Sequence, residues 1–149
     1  MKVKDIMAEN IKSISGEISV KEAMDLLFKH KISGLPVLDK KGLLIGMFTE
    51  KDILKTVLPG YVEQVGKFIY DEDPKIVKKK MQNLGKIKVK EIMRKDVITV
   101  SSDTALGEVA RLMLTQKVRR VPVVDKDKKV IGIVAREDIV RAFAKNTEE

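Results

Sequence analysis

Apolar and polar residues follow one order along the first part of this chain and then follow it again. Val20, Ala23, Met24 and Leu27 keep the i, i+3, i+4, i+7 spacing that lines up one face of a helix. Ser19 and Glu22 supply both residues of a capping box at its start. A strand-like stretch, Asn10 to Ser15, precedes this helix. Two apolar runs of strand length, Leu35 to Leu38 and Leu43 to Phe48, come after it, separated by the turn-like Asp39-Lys40-Lys41-Gly42. A second helix is expected from about Glu50 to Val57. The later part predicts the same elements: a helix face at Leu106, Val109, Ala110 and Met113, strands at Val121 to Val124 and Val130 to Val134, and a last helix from near Arg136.

The repetition extends to individual residues. VKDIM at Val3 to Met7 returns as VKEIM at Val89 to Met93, 86 positions later, and the register holds without a gap. LPVLDK at Leu35 to Lys40 returns as VPVVDK at Val121 to Lys126, and IGMFTEKDI at Ile45 to Ile53 as IGIVAREDI at Ile131 to Ile139. About 16 of the 55 aligned positions are identical, so the chain reads as two related units, each too small to complete a core alone. The expected organisation is a first repeat over 1–57, an insert over 58–88, a second repeat over 89–144 and a tail over 145–149. Within the insert, Pro59-Gly60 is expected to stop the preceding helix and Asp73-Pro74 to break the chain again. Lys75 to Gln82 is expected to form a further helix, whose Lys78, Lys79 and Lys80 read either as a solvated face or as a docking surface.

Composition removes most chemistry. The chain has 149 residues and no cysteine, which excludes disulfides, thiol nucleophiles and thiolate metal sites. Its one histidine, His30, sits between lysines near a helix end, where a solvated position is expected. The longest apolar run, Leu43 to Phe48, is far short of the roughly 20 residues of a membrane helix, and Met1-Lys2-Val3-Lys4-Asp5 is expected to lead into the repeat instead of forming a signal sequence. A cytoplasmic location without membrane insertion is the expectation. No phosphate loop, dinucleotide fingerprint, HExxH or GxSxG occurs, and an enzyme is not expected. The formal charge of +8 favours an anionic partner: nucleic acid, a membrane surface or a phosphorylated metabolite.

The most site-like feature is the strand-to-helix junction that closes each repeat. It runs Gly46-Met47-Phe48-Thr49-Glu50-Lys51-Asp52 in the first and Gly132-Ile133-Val134-Ala135-Arg136-Glu137-Asp138 in the second. A helix start presents unpaired N–H groups to an anion, and a carboxylate three residues in accepts hydrogen bonds from adjacent hydroxyls such as those of ribose. The same Thr49-x-x-Asp52 spacing also suits a capping box that needs no ligand. Ala135 cannot cap through its side chain, yet Asp138 follows it. Before each strand proline, Ser33-Gly34 lets a flat group approach the backbone, while Arg119-Arg120 offers two guanidinium groups to phosphate.

This combination of VKDIM and VKEIM openings, LPVLD and VPVVD strands and G-h-h-[T/A]-x-x-D endings resembles a pair of CBS domains, a Bateman module. The resemblance spans Val3 to Val57 and Val89 to Phe143. It implies an α+β fold of two tandem β-α-β-β-α units about a pseudo-twofold axis, with clefts between them that bind AMP, ADP or ATP and sometimes S-adenosylmethionine. By position it places the ribose-binding carboxylates on Asp52 and Asp138, with a neighbouring hydroxyl on Thr49 that Ala135 replaces in the second copy. It places phosphate-holding cations on Arg119 and Arg120, where the first copy has Ser33 and Gly34. Ile11, Ile32, Val97 and Val118 are the residues expected against adenine, and Lys51 and Arg136 flank the carboxylates. The resemblance implies a non-enzymatic homodimeric sensor that signals to an effector protein in trans. Two alternatives stand beside it, a nucleic-acid-binding regulator and a scaffold with degenerate clefts. The residue pattern selects neither the nucleotide nor a role for Mg²⁺.

Overall fold

A computed structural model describes residues 1–58 and 74–147. The expected breaks at Pro59-Gly60 and at Asp73 lie outside the described residues. Strand β1 (Ile14–Ser15) is followed by helix α1 (Val20–His30), strands β2 (Gly34–Leu38) and β3 (Leu44–Thr49) and helix α2 (Glu50–Val57). Helices α3 (Pro74–Gln82) and α4 (Val89–Ile92) come next. The second copy supplies α5 (Leu106–Gln116), β4 (Arg120–Val124), β5 (Val130–Ala135) and α6 (Arg136–Thr147).

The periodicity accounts for these elements. The four predicted positions of α1 are all buried, and Ser19 caps the helix by accepting a 3.0 Å bond from the Glu22 N–H. In α5, Leu106, Val109 and Met113 are buried and Ala110 is partly so. Both helices end at a left-handed lysine, Lys31 (φ 54°) and Lys117 (φ 56°), so the repeat extends to backbone conformation. The predicted strand from Asn10 shrinks to Ile14–Ser15, where Ile14 is the one buried residue of the stretch, while Asn10, Lys12 and Ser13 face solvent. The insert lysines lie on α3, with Lys78 and Lys79 exposed. His30, expected to be solvated, is half-buried.

The chain forms two compact units that cut across the repeats. Unit 1 comprises Met1–Lys12, Lys40–Leu44 and Asp96–Glu149, and unit 2 comprises Ser13–Asp39 and Ile45–Lys95. Each opening motif therefore packs with the other copy's strands and helices. In unit 1, Val3 is fully buried among Val100, Leu106, Val109, Val121, Val123 and Val134. Its N–H donates to Thr104 O (2.9 Å), and Lys4 N–H donates to Ser102 O (2.9 Å). In unit 2, Val89 is fully buried in a core with Val20, Leu27, Leu35, Val37 and Phe48. Its N–H donates to Ile18 O (2.9 Å), and Lys90 N–H donates to Gly16 O (3.0 Å).

The sheets match as well. In unit 2 the strand order is β1-β2-β3, and Ile14 pairs in parallel with Val37. In unit 1, β4 and β5 pair antiparallel with Val121 opposite Val134, and Val100 bridges Val123 in parallel as Ile14 does Val37. Gly46 and Gly132 are required by these crossings. A Cβ on Gly46 would lie 2.5 Å from Met93 Sδ and 2.9 Å from Arg94 O, and one on Gly132 would lie 2.6 Å from Met7 Sδ. Absence of a side chain lets the crossing segment lie flat on the strand.

Two consequences are measurable. Val3→Ala removes fully buried methyl groups from the centre of unit 1 and should cost roughly 2 kcal/mol, seen as a lower urea midpoint at unchanged slope. A midpoint equal to wild type would mean that the opening segment is a loose terminus. The second concerns Glu17, which bonds Lys88 Nζ (2.9 Å) and Lys90 Nζ (2.8 Å) and thereby fastens the second copy's opening segment to the first copy. These two ammonium groups lower the Glu17 carboxyl from 4.5 to about 2. A depressed carboxylate contributes stability fully above its unfolded value and loses it as the folded group protonates. Acid unfolding curves should therefore show a loss between pH 4.5 and about 2 that Glu17→Gln abolishes, whereas superimposable curves would refute the linkage.

Candidate functional site

The strand-to-helix junctions are built alike in the two units. In unit 2, β3 runs into α2 without a loop, and Glu50 N–H donates to Ser33 O (3.1 Å), which ties the helix start to the segment entering β2. In unit 1, β5 runs into α6, and Arg136 N–H donates to Arg119 O (2.9 Å). Each unit thus gathers the residues before its first hairpin strand around the start of its closing helix. Unit 2 brings together Ser33, Gly34, Thr49 and Asp52, and unit 1 brings together Arg119, Arg120, Ala135, Arg136 and Asp138.

Asp52 is buried, 8 % exposed, and its Oδ2 accepts from Thr49 N–H (2.8 Å) and from the Thr49 hydroxyl (3.4 Å). In unit 1, Asp138 Oδ2 accepts from Ala135 N–H (3.3 Å). The carboxylate half of a capping box is therefore present in both units, with or without a hydroxyl at the cap. Thr49 extends this by donating to the carboxylate. The other Asp138 oxygen, Oδ1, accepts from Arg141 Nη1 (3.3 Å), whereas both Asp52 bonds to Thr49 land on Oδ2. Asp138 also borders a shallow depression of about 440 Å³, shared with Met1, Asp5, Ile6, Arg141 and Lys145.

Burial raises the Asp52 carboxyl above its ordinary value of 3.8. The Thr49 N–H, the positive charges of Lys55 and Arg94 and the Thr49 hydroxyl pull the other way. Gly34 sits close to this group, since a Cβ there would lie 3.0 Å from Thr49 Cγ2 and 3.2 Å from Phe48 O. Any larger residue at position 34 would push on the junction.

The remaining expected residues fall as follows. Ile32 is half-buried and Lys51 exposed in unit 2, while Val97, Val118 and Arg120 are half-buried and Arg119 and Arg136 exposed in unit 1. Ile11, half-buried, belongs to unit 1, whereas Ile32, Ser33, Gly34, Thr49 and Asp52 of the same repeat belong to unit 2. Sequence reasoning missed Arg94, whose charge acts on Asp52 although 42 positions separate them. The available signal was its place directly after VKEIM, where the first copy has Ala8. Among the described residues, no group of three His, Cys, Asp or Glu is placed to hold a metal ion, and no helix is long and apolar enough to cross a membrane.

NMR titration of the side-chain carboxyl should find Asp52 above 3.8, and a value at or below 3.8 would contradict its burial. The raised pKa favours the protonated folded state, so ionising Asp52 lowers stability as pH climbs above 3.8.

Comparison with known proteins agrees with this architecture. The CBS domain family model matches residues 3–59 and 89–145. Uncharacterized protein MJ1426 of Methanocaldococcus jannaschii is 33% identical, with 96% of this chain and 91% of that protein aligned. The CBS domain pair of protein MJ0100, solved with 5′-methylthioadenosine and S-adenosyl-L-methionine, superposes at a TM-score of 0.74 with 33% identity and 98% coverage of both chains. CBSX2, solved in complex with AMP, superposes at 0.75 with 31% identity and 98% coverage of both. The two matched repeats, the duplicated strand-to-helix junction and the superposition over almost the whole length agree, and the chain belongs to the CBS domain family as a tandem pair.

Proposed function

We propose that this protein is a non-enzymatic regulatory module that binds an adenosine ligand through the carboxylates of Asp52 and Asp138 and passes the bound state to another protein. The reading rests on one observation above all. Both units place an aspartate at the start of the helix that follows a strand, beside the backbone of the segment entering the sheet, in the fold of relatives solved with AMP and with S-adenosyl-L-methionine. An ionised carboxylate there accepts from two vicinal ribose hydroxyls, and Asp52 Oδ1 takes neither of the bonds from Thr49. Asp138 must loosen its bond to Arg141 to do the same, so the Asp52 site is the stronger of the two. AMP, ADP and ATP are the ligands favoured, with S-adenosylmethionine next.

A ligand regulates by binding one arrangement of the protein more tightly than another. The surface that senses the difference is proposed to be helical. Phe28 and Leu54 in unit 2 and Leu114, Val140 and Phe143 in unit 1 are exposed apolar side chains on helices, and they suit the interface of a homodimer. The exposed Lys78 and Lys79 of α3 favour a second reading, a polyanion-binding regulator.

Calorimetric titration of AMP, ADP, ATP and S-adenosylmethionine, with light scattering on the same samples, tests both readings. Saturable binding to a dimer, weakened about tenfold or more by Asp52→Ala and less by Asp138→Ala, is the expected result. Absence of heat with all four, together with nucleic-acid binding that weakens steeply with salt and survives both substitutions, would favour the second reading.

A further inference from the structure

Unit 2 carries a cation at the edge of the Asp52 junction, and it comes from the crossing segment and not from the repeat that supplies Asp52. Arg94 follows α4, and its backbone pairs antiparallel with Met47 of β3. Met47 N–H donates to Arg94 O and Arg94 N–H to Met47 O, each at 2.9 Å. Met47 precedes Thr49 by two residues, on the same side of the strand in a period-2 pattern. Gly46 holds this pairing close, since any side chain there would strike Met93 and Arg94 O. The arginine side chain is exposed, and its charge favours the ionised form of Asp52.

Unit 1 makes the same backbone pair with a different residue. Ala8 N–H donates to Ile133 O and Ile133 N–H to Ala8 O, each at 3.0 Å. The segment entering the sheet shows the opposite distribution, with Arg119 and Arg120 in unit 1 and Ser33 and Gly34 in unit 2. Each carboxylate is thus accompanied by arginine from its own unit, delivered by a different element.

We propose that Arg94 recognises the phosphate of the ligand whose ribose is held by Asp52, so that this site prefers phosphorylated adenosine to adenosine itself. The proposal rests on the adenosine reading above. A guanidinium presents paired donors that match phosphate oxygens, and the backbone pairing with Met47 fixes the position from which it reaches.

The test uses full-length protein carrying Asp138→Ala, so that the Asp52 site is read alone, and titrates AMP and adenosine separately. Adding Arg94→Ala should weaken AMP about tenfold or more while changing adenosine by less than about twofold, and Arg94→Lys should retain part of the preference. Raising salt should narrow the gap between AMP and adenosine when Arg94 is present and leave it nearly unchanged in Arg94→Ala. Equal weakening of both ligands, or no weakening of AMP, overturns the proposal, with thermal unfolding checking that each variant is folded. Asp52→Ala in the same background separates the two levels. If it abolishes binding while Arg94→Ala leaves AMP intact, the role of Arg94 alone fails. If binding survives Asp52→Ala, the site itself is misassigned and the inference falls with it.

Discussion

The structure depends on the exchange of opening segments between the two repeats. Val3 and Val89 are fully buried, each in a core made mostly by the other copy. The first residues therefore belong to the core of unit 1, and those that follow the insert to the core of unit 2. This constraint explains features that otherwise look unrelated. Gly46 and Gly132 are free of side chains because a crossing methionine lies on each. The Glu17 ion pairs sit where the second copy's opening passes the loop before α1.

The same exchange shapes the chemistry of the carboxylate junctions. A strand that passes directly into a helix places the third helical residue back over the cap, and an aspartate at that position satisfies the cap N–H in both units. Capping occupies one oxygen of the carboxylate and is therefore compatible with the proposed ligand binding. Thr49 and Gly34 tighten the junction around Asp52, and burial works against its charge. Asp138, with Arg141 on its second oxygen, sits in a more open setting. Duplication supplied two junctions, and substitution around them made two unequal ones.

Much of this was legible in the sequence, for a physical reason in each case. Helix α1 is readable because four apolar residues on one face have nowhere to go but a core, and α2 because Glu50 to Val57 follows the strand with no loop residues between. The repeat alignment carried over to the structure at the level of pairs, with Ile14 on Val37 and Val100 on Val123. The resemblance to CBS domain pairs is shown by the family match and the superpositions. The polar segment before β1 was read as strand from its spacing, but hydrogen-bonded pairing reaches only Ile14 and Ser15. The exchange itself was illegible, because periodicity reports which residues are buried and not against which copy. Arg94 escaped for that reason, since it is remote from Asp52 in the chain and is brought alongside Met47 of β3 only through the exchange.

The most direct test of the account is a crystal structure of the protein grown with AMP. It should show the ribose hydroxyls on the Asp52 carboxylate, with Oδ2 still bonded to the Thr49 N–H. Nucleotide bound elsewhere, or at this junction without contact to Asp52, would contradict the assignment of this carboxylate as the centre of the site.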